Sequence, residues 1–251
     1  MNIFKFFFQI ILQIFLFLIF FSTIHTRNVD KFNDGNYIAN YFSGILLLNE
    51  NKYNDSYKFL KKLDGLEDIH LNYSSKYLFS LVNLERFNEA FNYSKKLEKR
   101  KLDNFESDLI IGIHYLKNEN YDLAKKYLLK LKARNSKFLL NDFVSTSLLN
   151  WVSLSNLDLN KAENKFNEMN EQFENLKNIQ NVFLNCYYKS KKTEILFEQL
   201  TSNEKIDFSR YNYFYNNYLL KVGKPKKAKD FLESSIKLYP RNLLLNQLRY
   251  D

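Results

Sequence analysis

A 34-residue period in the first half of the chain constrains its fold more than any other feature of the sequence. Four kinds of residue keep the period: an aromatic (Tyr53, Phe87, Tyr121), a small residue three positions later (Ser56, Ala90, Ala124), a leucine seven positions after that (Leu63, Leu97, Leu131) and, twelve positions before the small residue, Gly44, Leu78 and Gly112. Repeats of this length are typical of stacked helical hairpins, because one hairpin cannot bury both of its faces alone. The sequence therefore predicts a solenoid.

The composition agrees with long helices joined by short turns. The 251 residues include five glycines and two prolines, which excludes glycine-loop nucleotide folds and turn-rich β-sandwiches. We expect pairs such as Gly44 and Ser56 to mark the closest contact within each hairpin, because two helices approach closely only where side chains are small. We expect the aromatic residue to fill the turn, and the apolar residues after it to cover the next hairpin.

This pattern resembles the tetratricopeptide repeat (TPR). The family has a small residue, often glycine, at motif position 8, an aromatic at 17, alanine at 20 and proline at 32. Gly44, Tyr53 and Ser56 stand at the first three of these positions in the first copy. The tryptophan that the family has at position 4 is replaced by Asn40, Ser74 and Asp108, and the proline is missing from all three copies.

Weaker copies follow downstream. Ala162 lies 38 residues after Ala124, which predicts an insertion of about four residues near Lys132–Asn141. Ala228 and Pro240 mark a last copy, and a degenerate one is expected near Asn178–Leu200 with its turn at Lys189–Lys192. We predict an all-α, right-handed α-solenoid of about six TPR-like helical hairpins over residues 37–240, after a short linker (27–36) and before a C-terminal capping helix (241–251) within which a helix is expected at Leu243–Tyr250.

The N-terminal segment is strongly apolar. Residues 6–26 contain no charged side chain, and a helix of about 20 such residues spans the hydrocarbon core of a membrane. Residues 1–26 are therefore expected to form either a cleaved signal peptide or a hydrophobic signal-anchor transmembrane helix, which is slightly favoured because no small-residue cleavage site follows. Either alternative places the repeats on the extracytoplasmic face of a membrane, or in the periplasm if the segment is cleaved.

The concave groove of a TPR solenoid is lined by positions 2, 5, 9 and 12 of each first helix. The residues predicted to bind a partner there are Ile38, Tyr41, Ile45, Leu48, Phe79, Val82, Leu109, Ile113, Leu116, Trp151 and Tyr213. Lys, Arg and Asn are absent from positions 5 and 9, which argues against clamping of a chaperone's terminal carboxylate. An apolar groove indicates a peptide or partner-protein ligand. Occupation by residues 26–36 or by a second copy in a homodimer is the alternative.

No catalytic or cofactor-binding pattern is present. His25, His70 and His114 are scattered, no phosphate-binding or nucleophile-elbow string occurs, and one cysteine, Cys186, excludes a cysteine-rich zinc site. We expect a non-enzymatic protein that binds neither a metal nor a cofactor.

The net charge of +9 comes mainly from lysine, since only seven of the 37 basic residues are arginine. Clusters at residues 95–101 and 224–229 could bind phosphate, but nucleic-acid recognition favours arginine, so we expect no nucleic-acid partner. The sequence predicts a protein-interaction scaffold or assembly factor of the cell envelope. The alternatives are a cytosol-facing TPR adaptor and a lipid- or RNA-binding solenoid that uses its lysine clusters.

Overall fold

The computed structural model describes residues 34–70, 72–134, 138–202 and 209–248. The apolar segment 1–26 and most of the linker after it lie outside the described residues. Among the helices of the described ranges, none is long and apolar enough to cross a membrane.

Every regular element in the described ranges is helical. The α-helices are α1 (Gly35–Asn49), α2 (Tyr53–Leu60), α3 (Tyr73–Asn83), α4 (Phe87–Lys99), α5 (Phe105–Lys117), α6 (Tyr121–Ala133), α7 (Leu139–Val152), α8 (Leu159–Asn167), α9 (Glu174–Tyr187), α10 (Thr193–Thr201), α11 (Ser209–Lys221), α12 (Pro225–Leu238) and α13 (Leu243–Leu248). Short 3-10 turns follow α2 and α7 and precede α3 and α9. The chain divides into two compact units at Arg134.

The first unit stacks three hairpins, α1–α2, α3–α4 and α5–α6. Its core is built from leucines of the second helices, of the 3-10 turn after α2 and of α3, together with tyrosines that lie against them: Leu60, Leu63, Leu78, Leu81, Leu97, Tyr57, Tyr73, Tyr77 and Tyr93. Tyr73 and Tyr77 stack with ring centroids 5.9 Å apart, and Tyr93 meets Tyr77 edge to face at 4.9 Å.

The second unit contains α7–α8, α9–α10, α11–α12 and the short α13. One cluster is centred on Phe166 and Leu184, and another on Phe197, Tyr215 and Leu219. The degenerate copy has its turn between α9 and α10, where the sequence predicted it. The helix α13 lies within the segment expected to cap the last hairpin.

The small-residue contacts are confirmed in the first and third hairpins, whereas the second has the buried Leu78 at the position of the glycine. Ser56, Ala90 and Ala124 are fully buried, and a methyl group added at Gly44 would lie 2.6 Å from Leu60 Cδ2. The same addition at Gly112 would lie 3.0 Å from a side-chain atom of α6. These positions are therefore small because the paired helix leaves no room.

Five of the six turns inside the described hairpins, all but the one between α7 and α8, repeat one backbone motif. The residues with positive φ include Asn51, Glu85, Glu119, Lys189 and Gly223, so the period of 34 recurs in both units. After each of them, the next amide donates to the carbonyl five residues before it, as in Lys52 N to Leu47 O at 2.8 Å and Lys224 N to Leu219 O at 2.9 Å. This is the Schellman closure of a helix C-terminus, here made in four of five turns without glycine.

Two local expectations are wrong. Phe87 and Tyr121 each begin a second helix but remain 51% exposed, so the aromatic residue marks the start of the helix without filling the turn. The extra residues before Ala162 do not lengthen the connection after α6, which has the same five residues as the connection after α4. Three of them lie instead in the connection between α7 and α8, which has six residues where the connection between α5 and α6 has three, and α7 is one residue longer than α5.

Candidate functional site: an apolar groove in the first unit

A groove of about 880 Å³ opens between the first helices of the first unit. We call it the α1–α3–α5 groove. Its walls come from the end of α1, one face of α3, the start of α4 and one face of α5, and its lining consists of Leu48, Asn49, Asn51, Ser75, Lys76, Leu78, Phe79, Val82, Phe87, Asn88, Glu106, Leu109, Ile110, Ile113, His114, Lys117 and Asn118.

The floor of the groove is apolar because of helical spacing. Phe79 and Val82 lie three residues apart on α3, and Leu109 and Ile113 lie four apart on α5, so each pair shares one face of its helix. Phe79 is half exposed although its ring meets Tyr53 edge to face at 6.1 Å. Exposed side chains of this size on neighbouring helices form a surface that a ligand can cover.

Hydrogen bonds at the start of α5 fix the width of the groove. Asn104 caps α5 by accepting from Ser107 N at 2.9 Å, and its amide nitrogen donates to the hydroxyls of Ser74 and Ser75 on α3 at 3.0 and 3.1 Å. Ser75 in turn donates to Glu106 Oε2 at 3.0 Å. The cap of one helix is thus bonded to the neighbouring helix, which holds the two walls together.

The rim of the groove is polar and weakly basic. Lys76 and Lys117 are both exposed, whereas the carboxylate of Glu106 already accepts a hydrogen bond from Ser75. The ring of His114 stacks on Phe91 with centroids 3.7 Å apart and lies 3.0 Å from Asn118 Nδ2. A ligand with apolar side chains for the floor and acidic groups for the rim would complement this surface.

The structure brings together five of the eleven residues predicted for the groove: Leu48, Phe79, Val82, Leu109 and Ile113. Tyr41 and Ile45 instead pack against the core of the first unit, and burial raises the pKa of the Tyr41 phenol. Ile38 is exposed near the start of α1, and Leu116 is half-buried, both outside the lining.

The other two predicted residues, Trp151 and Tyr213, lie in the second unit. Trp151 Nε1 donates to Gln180 Oε1 at 3.1 Å, and the same oxygen accepts from Ser147 Oγ at 2.5 Å. The ring of Tyr213 meets Phe214 edge to face at 5.4 Å. Both aromatic residues are therefore half-buried parts of the local packing of that unit.

Several lining residues were missed by the sequence argument. Phe87 and Asn88 begin α4, and His114 and Lys117 lie beside the predicted face of α5. The period identified Phe87, but assigned it to the turn. The repeat motif carries no signal that the groove extends to the end of α1 and the start of α4.

Ion pairs between successive repeats occupy much of the first lysine cluster. Lys96 and Arg100 reach the fully buried carboxylate of Glu67 at 3.1 and 2.7 Å, and Arg100 also pairs with Asp68. One period later, Lys130 and Arg134 reach the buried Asp108 of their own hairpin at 3.0 and 2.6 Å, and both also pair with Asp103 in the connection before α5. Part of the positive charge at residues 95–101 therefore forms ion pairs that join stacked repeats and does not form a phosphate site.

Within the described ranges, no group of three or more His, Cys, Asp or Glu side chains could hold a metal ion. Cys186 is half-buried in α9, and burial raises the pKa of its thiol.

The comparisons with known proteins identify the fold. No protein-family model matches the sequence, and no curated protein matches it significantly. The structure is similar to the quorum sensor NprR from B. thuringiensis in its apo form, with a TM-score of 0.60 and 13% identity over 96% of this chain and 76% of that one. The complex of NprR with its cognate peptide NprX gives a TM-score of 0.57 at the same identity and coverage.

Two further solved structures are similar. The APC/C hetero-tetramer Cut9–Hcn1 has a TM-score of 0.56 and 17% identity over 82% of this chain, which spans only 40% of that one. PilF from Pseudomonas aeruginosa has a TM-score of 0.52 and 13% identity over 86% of this chain and 97% of that one. At such identities the likeness concerns the fold alone, and the chain has an all-α, TPR-like solenoid fold.

Proposed function

We propose that this chain is a non-catalytic interaction scaffold that binds a peptide or a segment of a partner protein in the α1–α3–α5 groove. The observation that carries the proposal is the apolar floor formed by the exposed Phe79, Val82 and Ile113 and the half-buried Leu109, held open between two helices by the Asn104 hydrogen bonds. Peptide binding by NprR, a protein of similar fold, supports the same use of the groove.

We further propose that the scaffold acts at the cell envelope. The support is the sequence alone, since residues 6–26 are long and apolar enough to span or cross a membrane. Protease protection of the full chain in cells tests this part separately. Digestion from the extracytoplasmic side supports it, and protection there with digestion from the cytosolic side would instead place the scaffold in the cytosol.

Site-specific photocross-linking in cells tests binding in the groove. A photoreactive residue at Ile113 is expected to cross-link to one discrete polypeptide, and a second substitution, Phe79→Asp, is expected to abolish that product by placing a charge on the floor. The control position is Leu129 on α6, which is as exposed as Phe79 but lies outside the groove.

The outcomes separate the alternatives. An adduct to another polypeptide that depends on Phe79 supports the proposal. An adduct to residues of the same chain would show that the groove is self-occupied, and one that forms equally at Leu129 or in the Phe79→Asp variant would reject the groove as the binding site. The side chains of Phe79, Ile113 and Leu129 are exposed, so changes at these three positions keep the core intact.

A further inference from the structure

A second surface, unrelated to the groove, lies on the second unit. We call it the lysine edge. It consists of exposed lysines at the turns of the last two hairpins: Lys189, Lys191 and Lys192 between α9 and α10, and Lys221, Lys224 and Lys226 around the turn between α11 and α12.

Contacts within the second unit place the two groups of lysines together. Lys189 and Gly223 occupy the same position of the repeated turn, one period apart. Lys224 Nζ lies 2.5 Å from Glu194 Oε2, at the start of the helix that follows Lys192. The charge of Lys221 also acts on the thiol of Cys186 in α9. The two turns are thus neighbours on one edge of the unit.

Few carboxylates balance these lysines. Glu194 pairs with Lys224 and with Lys227 at 2.6 Å, and among the described residues no carboxylate forms an ion pair with the three lysines of the α9–α10 turn. Asp158, at the preceding turn, lies 3.3 Å from Lys161. The corresponding turns of the first unit each carry one glutamate (Glu50, Glu85 and Glu119) and at most one basic residue (Lys52 and Arg86), so the surplus of basic residues belongs to this part of the repeat array.

Exposed apolar side chains flank the lysines. Tyr187 precedes Lys189 and is 57% exposed, and Val222 follows Lys221 and is 43% exposed. Lysines with long apolar stems beside an exposed aromatic ring fit the boundary between headgroups and acyl chains, where the ammonium groups stay in water. A point charge such as lysine suits a diffuse field of lipid phosphates, whereas base and phosphate recognition in nucleic acids favours arginine.

We propose that the lysine edge docks the second unit on a membrane surface that carries anionic phospholipid headgroups, with Tyr187 and Val222 entering the interfacial region. This interaction requires no ligand in the α1–α3–α5 groove. It gives the second unit a fixed orientation on the membrane, because the turns of one edge face the lipid.

Vesicle binding of the full chain tests the proposal. Two partition coefficients are measured, one onto phosphatidylcholine vesicles that contain phosphatidylglycerol and one onto vesicles that lack it, and their ratio is compared between variants. The salt concentration is about 0.1 M, at which exposed charges still act over about 10 Å. The apolar N-terminal sequence is the same in all variants, so its contribution to vesicle binding cancels in this ratio. The triple variant Lys189→Gln, Lys191→Gln and Lys192→Gln is expected to lower the ratio by about 100-fold.

A matched triple variant in the first unit controls for net charge. Lys58→Gln, Lys125→Gln and Lys132→Gln remove the same charge from exposed helical positions, and are expected to leave the ratio within about threefold of wild type, the scale of a residual long-range charge effect. Equal losses in the two triple variants would show a general charge effect and overturn the proposed site.

Lysine acetylation followed by mass spectrometry locates the contact. The six lysines of the edge are expected to be protected by vesicles with phosphatidylglycerol, but not by phosphatidylcholine alone or by soluble glycerophosphate. Unchanged reactivity of these lysines on anionic vesicles overturns the proposal. Stronger protection by a single-stranded RNA oligonucleotide than by anionic vesicles, at equal salt, would overturn it in favour of nucleic-acid binding.

Discussion

The hydroxyl of Ser56 donates a 2.8 Å hydrogen bond to the carbonyl oxygen of Gly44, across the buried contact between α1 and α2. The equivalent contact in the last hairpin has a hydrogen bond in the opposite direction. There the first helix donates to the second, from Asn216 Nδ2 to Ala228 O at 2.6 Å. Both pairs are twelve residues apart. A polar residue is therefore tolerated at this packed position because it satisfies its own hydrogen bond there.

Gly44→Ala tests the closeness of that contact. The added methyl group would lie 2.6 Å from Leu60 Cδ2, and Leu60 is fully buried and has little freedom to move. Overpacking outweighs the gain in helix propensity, so we expect a net loss of about 1–2 kcal/mol in the free energy of unfolding. Hydrogen exchange of the α1 and α2 amides reports this loss locally, which suits an array that need not unfold in two states.

Two other glycines provide the controls for this substitution. Gly112→Ala is expected to cost less, because its closest contact is 3.0 Å, and Gly35→Ala should be neutral or stabilising, because nothing lies within 4 Å of the added methyl group. A loss at Gly35 equal to that at Gly44 would contradict the steric explanation.

Arg100→Met tests the ion pairs between repeats. Arg100 and Lys96 share the fully buried carboxylate of Glu67, and loss of one partner leaves that charge incompletely compensated. We expect a loss of about 1–3 kcal/mol, against less than about 0.5 kcal/mol for Lys99→Met at a neighbouring exposed position. A double-mutant cycle with Glu67→Gln, read by hydrogen exchange of the α3 and α4 amides, should show coupling between the pair. Additive losses would mean that the pair contributes nothing specific.

Acid should weaken the last two hairpins through Glu194. Hydrogen bonds from Lys224 and Lys227 lower the pKa of this carboxyl, and Lys227 does the same for Glu198. Because the folded pKa lies below the unfolded value of about 4.3, the stabilisation is complete above that pH and is lost as pH falls through the folded pKa. Thermal midpoints of wild type should therefore drop more steeply below about pH 4 than those of Glu194→Gln. Parallel curves would contradict this assignment.

Alkali should weaken the same unit through Tyr215. Burial, assisted by the charge of Glu198, raises the pKa of its phenol to about 12. Since the unfolded value is about 10, this contribution to stability is complete below that pH and is lost as pH rises towards 12. Absorbance titration should show a phenolate that forms well above pH 10, and Tyr215→Phe should flatten the dependence of stability on pH. Ionisation of all tyrosines near pH 10 in the folded protein would refute it.

Properties that are local to one repeat could be predicted from the sequence, whereas properties that depend on neighbouring repeats could not. The spacing of Gly44 and Ser56, and the helix that starts at Phe87, follow from contacts inside a hairpin, which the 34-residue period records directly. The pairing of Arg100 with Glu67 joins residues 33 apart on different repeats, and charge composition alone does not show which lysines or arginines are already paired. For the same reason Tyr41 was assigned to the groove, although its neighbours in the stack bury it against the core.

Phe87 and Tyr121 offer the most direct test of which residues the groove uses. They occupy the same repeat position, begin their helices and are both 51% exposed, but only Phe87 lines the α1–α3–α5 groove. Phe87→Ser should therefore reduce cross-linking from Ile113 by about tenfold or more, as expected for loss of a buried aromatic contact worth at least about 1.4 kcal/mol. Tyr121→Ser should leave the cross-link unchanged, and its effect on stability should match that of Phe87→Ser. If both substitutions weaken capture equally, the effect arises from the fold of the repeats, and the ligand does not touch Phe87.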